Sequence, residues 1–167
     1  MTESEKALKT GRRLTRDGAK AASTALSGGE MMQAAGDVIN ARLEIMAAGM
    51  ADPRKADLTE MSLMSTEKVE ALSASASAMA KTFGDIGGRL GSGVMTEAGH
   101  ASKAATSIAT AATPAAAMQA QYSYAVGWWS RAAAQMLTLN SALLQGQADA
   151  IRPIHNTAVA NAKRLKK

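Results

Sequence analysis

The chain has 167 residues, of which 78 are hydrophobic, but 38 of those 78 are alanine and bring only a methyl group to any core. Leu, Ile, Val and Phe total 25, about 15 per cent, yet the net charge of +5 is too small for the self-repulsion that accompanies disorder by composition. Alanine favours helices, and the β-branched and aromatic residues that strands want are scarce, so a β sandwich or doubly wound sheet is excluded. With no cysteine there is no disulfide scaffold, thiol nucleophile or thiolate-ligated metal, a composition that fits a reducing cytoplasm.

Residues 1–29 read as a basic N-terminal arm, mobile or weakly helical and ending at Ser27, Gly28 and Gly29. Charged side chains throughout the first twenty residues leave no apolar stretch of the kind a secretory signal carries. From Glu30, Met31, Ala35, Val38, Ile39, Ile45 and Met46 recur on one side of an expected helix. It should stop near residues 49–52, with Asp52 capping a second helix that has Pro53 at its first position. The predicted unit over 30–90 is a helical hairpin.

The second helix contains the clearest periodicity: Val69, Leu72, Ala76, Met79, Phe83, Ile86 and Leu90 step alternately by three and four, a heptad seam. Gly84, Gly87, Gly88, Gly91 and Gly93 then predict a hinge, because an interior glycine costs a helix about 1 kcal/mol relative to alanine. Residues 91–113, rich in Gly, Ala, Ser and Thr, read as a hinge or soft helix. Thr113 and Pro114 open a long amphipathic helix over 114–152, in which Met118, Tyr122, Ala125, Trp129, Ala132, Met136, Leu139 and Leu143 repeat the spacing. Pro153 should end or kink it, leaving 153–167 as a basic tail. The expected fold is all-α, with long amphipathic helices in a bundle or an extended coiled-coil-like arrangement, and no window is apolar enough to span a membrane.

Charge is unevenly placed. Residues 1–29 sum to +3, 30–149 to −3 and 150–167 to +5, so both ends are basic and the middle is mildly acidic. Lys163, Arg164, Lys166 and Lys167 are the candidates for contact with an anionic surface, and weak nucleic-acid contact through the basic tails belongs to the same reading. No catalytic constellation is present. His100 and His155 form no metal-ligand motif, Glu67 and Glu70 read as an exposed polar face, and the serines lie in no GxSxG elbow. No catalytic, cofactor or metal residue is therefore assigned.

The informative residues are apolar. Tyr122, Tyr124, Trp128 and Trp129 hold four of the five aromatic rings within eight positions, and at ~100° per residue the two tryptophans cannot share one narrow seam. Met31, Met32, Met46, Met50, Met61, Met64 and Met79 bring adaptable thioethers to the first two helices. Val69, Leu72, Met79, Phe83, Tyr122, Trp128, Trp129, Met136 and Leu143 are the candidate contacts to a partner helix or an apolar polymer.

Residues 38–79, VINARLEIMAAGMADPRKADLTEMSLMSTEKVEALSASASAM, resemble the phasin family, most specifically in the block from Met64 to Ser73 with Glu67-Lys68-Val69-Glu70-Ala71. Leu72 stands where phasins commonly have an aromatic residue. The resemblance implies a non-catalytic, homo-oligomeric bacterial protein in the cytoplasm. It would coat the surface of polyhydroxyalkanoate (polyhydroxybutyrate) storage granules through amphipathic helices and control their size and number. The alternative reading is a basic-tailed helical adaptor that binds nucleic acid or an anionic membrane surface.

Overall fold

The computed structural model describes residues 3–55 and 58–166; Lys167 and the side chains of Glu3, Lys55, Met61 and Met64 lie outside that description. Three long helices account for nearly all of it: α1 over Glu3–Ala51, α2 over Leu58–Ala109 and α3 over Pro114–Leu165. The described residues contain no strand, so the expected all-α class holds.

The helix ends rest on local chemistry. The amide of Asp52 closes the last turn of α1 on the Ala48 carbonyl at 3.0 Å, and the Asp52 carboxylate accepts from the Arg54 amide at 3.1 Å. Asp52 is thus a cap, as expected, but the element it caps is a short 3₁₀ turn, Pro53–Lys55, and α2 begins only at Leu58. Thr113 is the N-cap of α3: its hydroxyl accepts from the Ala116 amide at 3.1 Å, with Pro114 in the first helical position.

Elsewhere the helices run through the expected breaks. α1 continues through Gly28 and Gly29, so residues 3–29 supply the first half of a long helix rather than an arm, and residues 1–2 of the expected arm lie outside the described residues. Its side chains are held: Lys20 donates to Gln145, the imidazole of His155 meets Glu30 at 3.0 Å, and Asp17 is buried. α2 passes through all five glycines from Gly84 to Gly93 and on to Ala109, so the hinge is helical and the break before α3 shrinks to residues 110–113. Interrupting a helix requires a fresh nucleus, with σ of about 10⁻³ or roughly 4 kcal/mol, comparable with what five glycines cost. α3 likewise crosses Pro153, and the expected tail of 153–167 is its last stretch. The lost backbone hydrogen bond and ring clash cost roughly 3 kcal/mol. A hydrogen bond from His155 and ion pairs from Arg164 and Lys166 to α1 and α2 offset part of that cost and hold the segment beyond the proline.

The chain divides into two units, one formed by 1–81 with 144–167 and the other by 82–143. In the first, α1, the start of α2 and the end of α3 pack around Ala34, Val38 and Ala162, with Ala158, Val159 and Leu165 partly buried beside them. Among the described residues Ala71 is the remaining buried apolar one, and Ser75 of α2 donates to the Ala150 carbonyl of α3 at 2.8 Å. In the second, α2 and α3 form an antiparallel hairpin in which Gln135 donates to the Arg89 carbonyl at 3.1 Å. Gly93 lies directly beneath Gln135: a Cβ there would sit 2.5 Å from its Nε2. Small side chains line these approaches, because helices meet closely only where no bulk intervenes.

Candidate surface-binding site

The heptad seam does not face inward, apart from the half-buried Ile86. Val69 is 66 per cent exposed, Leu72 57 per cent and Phe83 63 per cent, and Met79 and Leu90 are exposed as well. The inward side of α2 is instead carried mostly by Glu60, Glu67, Ala71, Ser75, Ala78 and Thr82, with Leu63 and Ile86 as its larger apolar members. The periodicity is real, but two parallel registers run along α2, one apolar and one mostly small or polar, and close packing selects the one with less bulk.

What lies between the helices of the first unit is charged. Glu60 is 3 per cent exposed. It accepts from Arg42 Nε at 3.2 Å and from both terminal nitrogens of Arg164, the second at 3.1 Å. Glu67 accepts from Arg42 Nη2 at 3.0 Å, from Asn161 Nδ2 at 2.7 Å and from Arg164 Nη2 at 3.3 Å. One cluster therefore ties α1, α2 and α3 together. The Arg164 hydrogen bonds, aided by Arg42, hold the Glu60 carboxyl below its usual range against the opposing effect of burial.

The second unit has its own fastening. Arg131 of α3 grips Glu97 of α2 with two hydrogen bonds of 2.7 and 2.8 Å, and its guanidinium carbon sits 5.5 Å from the centre of the Tyr124 ring. The Arg131 hydrogen bonds bring the Glu97 carboxyl down to about 2. Tyr124 donates to the same carboxylate, which pushes its phenol up, and Arg131 is held more firmly protonated. Gly127 makes room for this arrangement, since a Cβ there would lie 2.7 Å from Arg131 Nη1.

Every one of the nine candidate contact residues is on the outside. Tyr122, Trp129, Met136 and Leu143 are exposed, and Trp128, the least exposed, is still 40 per cent accessible. The two tryptophan rings meet edge to face, 4.9 Å apart at 76°, with Trp128 turned into a groove between α2 and α3 and Trp129 outward. Leu8, Leu14, Leu26, Met32, Met50, Val94, Met95, Met118 and Val126 are equally exposed. Sequence periodicity overlooks most of these because they belong to no long seam. The basic candidates are partly committed elsewhere: Arg164 is bound to Glu60 and Glu67, and Lys166 Nζ lies 2.8 Å from Asp37, while Lys163 is exposed.

Among the described residues no cluster of acidic or histidine side chains could hold a metal, and no helix is long and apolar enough to cross a membrane. The class these features define is an all-α protein with small and charged side chains between its helices and large apolar ones outside. The family model described as "Phasin protein" matches residues 59–158, 100 of the 167 residues, and the chain belongs to the phasin family, proteins associated with polyhydroxyalkanoate granules. The match takes in most of α2 and α3, well beyond the Met64–Ser73 block, and leaves out 38–58 with the Asp52-Pro53 turn. No curated protein and no solved structure matches the chain.

Proposed function

We propose that the protein is a non-catalytic coat of polyhydroxyalkanoate granules, polyhydroxybutyrate granules in particular, acting in the cytoplasm at the granule surface and controlling granule size and number. The observation that carries this reading is the distribution of side chains: among the described residues Ala34, Val38, Ala71 and Ala162 are the buried apolar ones, while Leu72, Phe83, Trp129 and Met136 stand in water. Large apolar side chains left exposed along a helix are unfavourable unless something covers them. Burying a Leu or Phe side chain contributes about 1.5–3 kcal/mol, so a few such anchors per molecule give firm yet exchangeable adsorption. These side chains are already exposed within each unit, which supports adsorption through the outer faces of the helices. Association with further copies of the chain would draw on the same faces.

The test is co-sedimentation with amorphous polyhydroxybutyrate particles at about 50 mM and about 1 M salt, with anionic vesicles and DNA in parallel. Apolar adsorption persists at high salt, whereas attraction through basic groups collapses. Salt-resistant binding to the polyester is the expected result; salt-sensitive binding to vesicles or DNA alone would replace this reading with the basic adaptor.

A further inference from the structure

Within the first unit a cavity of about 320 Å³ lies between α1 and α3, and adsorption through the outer faces makes no use of it. Its volume falls within the range of small-ligand sites, about 300–1,000 Å³. The α1 wall is Lys20, Ser23, Thr24 and Ser27, whose spacing of three, four and seven puts them on one face of the helix. Across from it stand Gln145, Arg152 and His155 of α3, with Ala148 and Ile151 as the apolar part of the lining. Lys20 and Arg152 carry fixed positive charge, and none of the nine lining residues is acidic.

The polar groups of this lining divide into engaged and available. Gln145 is engaged at both ends: its oxygen accepts from Lys20 and its nitrogen donates to Asp149 at 2.8 Å. So is His155, with Nε2 3.0 Å from Glu30 and Nδ1 3.4 Å from Asn156, and Ser23 donates to the Lys20 carbonyl at 2.9 Å. Asp149 and Glu30, the carboxylates these bonds reach, are themselves paired and do not line the cavity. What remains available can donate. Lys20 keeps two ammonium protons beyond the one given to Gln145, and Arg152 keeps Nε and Nη1 beyond the Nη2 given to Asp149. The Ser27 hydroxyl has no partner among the described residues. The Thr24 hydroxyl is closed off from solvent and likewise has none. A buried hydroxyl in that state calls for an acceptor that the polypeptide does not supply.

We infer that this cavity binds a small phosphate monoester. A monoester brings three terminal oxygens and close to two negative charges, which suits two cations, two unpartnered hydroxyls and a lining without carboxylates. Lys20, Arg152, Ser27 and Thr24 would hold its oxygens, and a short carbon chain on the ester oxygen would lie on Ala148 and Ile151. A carboxylate offers only two oxygens and one charge, and would leave donors unmatched. A cationic ligand would meet Lys20 and Arg152 with no carboxylate to receive it. Such a site would operate whether or not the chain coats granules.

The test is isothermal titration calorimetry of the full chain with n-butyl phosphate and with butyrate at about 100 mM salt in a phosphate-free buffer, beside co-sedimentation with vesicles carrying phosphatidic acid. The expected result is saturable binding of n-butyl phosphate, with butyrate weaker by about tenfold or more. Lys20→Gln and Ser27→Ala should each weaken the phosphate by about tenfold. Lys103→Gln, at an exposed position outside the cavity, should leave it unchanged. Lys20→Gln also alters the contact with Gln145, whereas Ser27→Ala removes a hydroxyl that makes no bond within the fold, so an unchanged unfolding midpoint with lost affinity reads the site alone. No saturable heat up to about 10 mM overturns the inference, as does equal affinity for butyrate. Undiminished binding in both Lys20→Gln and Ser27→Ala overturns it too, and so does a loss in Lys103→Gln equal to that in Lys20→Gln. Capture on the vesicles with no response to soluble n-butyl phosphate would assign the same phosphate chemistry to a lipid surface and remove the cavity from it.

Discussion

Arg131 and Glu97 face each other across the hairpin of the second unit with two near-parallel hydrogen bonds, and Gly127 is the residue that lets the guanidinium lie there. Arg131→Gln should return the Glu97 carboxyl from about 2 toward its usual 4.5, and should leave the Tyr124 phenol raised, since Glu97 raises it and the Arg131 charge opposes that rise. Gly127→Ala should raise the Glu97 carboxyl in the same way, because the added methyl displaces the guanidinium. Side-chain NMR titration of Glu97 reads the effect; a carboxyl that stays near 2 in Arg131→Gln would mean the pair is not its cause.

Glu60 and Glu97 together set the acid side of the stability profile. Both have carboxyls held below 4.5 in the folded chain, so their contribution is complete above that value and is lost as pH falls through the lower folded values. Thermal unfolding followed by circular dichroism should show a flat midpoint from about pH 7 to 5 and a steady decline from about pH 4.5 toward 2. A midpoint unmoved over that acid range would remove these pairs from the stability of the fold.

Glu60→Gln should destabilise the first unit by roughly 2–3 kcal/mol. Removing one member of a fully buried pair costs about 3–5 kcal/mol, and the value is reduced here because Arg164 keeps 40 per cent of its side chain in water. Chemical denaturation measures it directly. The double substitution Arg42→Met with Glu60→Gln should recover part of the loss, since it leaves fewer charges unpaired between the helices.

Replacing Gly84, Gly87, Gly88 and Gly91 by alanine should stabilise α2 by about 0.5–1 kcal/mol each, because an added Cβ at these positions meets nothing within 4 Å and none of the glycines has a positive φ. A rise in the unfolding midpoint with particle adsorption unchanged would show that the glycines serve no conformational change on binding. A rise accompanied by weaker adsorption would show that they do.

Leu72→Asp with Phe83→Asp should leave unfolding within about 0.5 kcal/mol of the unaltered chain, since both side chains are exposed, while reducing particle adsorption or self-association. Unaltered behaviour in both assays would remove this seam from the mechanism.

The helical class, the Thr113-Pro114 start of α3 and the Asp52 cap are all legible in the residues, because each rests on interactions within one turn of the chain. The apolar candidates are legible too, through their spacing. Their orientation is not: a heptad of Val69, Leu72, Met79 and Phe83 says that one side of a helix is apolar, but its neighbours decide which side turns inward. Glu60, Glu67 and Arg42 look like ordinary surface charges in the sequence, and only the approach of Arg164 from more than ninety residues away gathers them. Continuity is hidden at Gly84–Gly93 and at Pro153, where local propensity favours a break and the cost of starting a new helix, with contacts made beyond it, favours going on.

The scarcity of buried apolar side chains, with Ala34, Val38, Ala71 and Ala162 as the core, also bears on the lifetime of the chain. A fold that shelters so little from water opens readily, and proteases act on open forms in proportion to their population. Whatever covers the outer faces binds the folded form and lowers that population by mass action. Molecules that find cover would outlast those that do not, so the amount of the protein would come to follow the area available to it, with no separate regulator required.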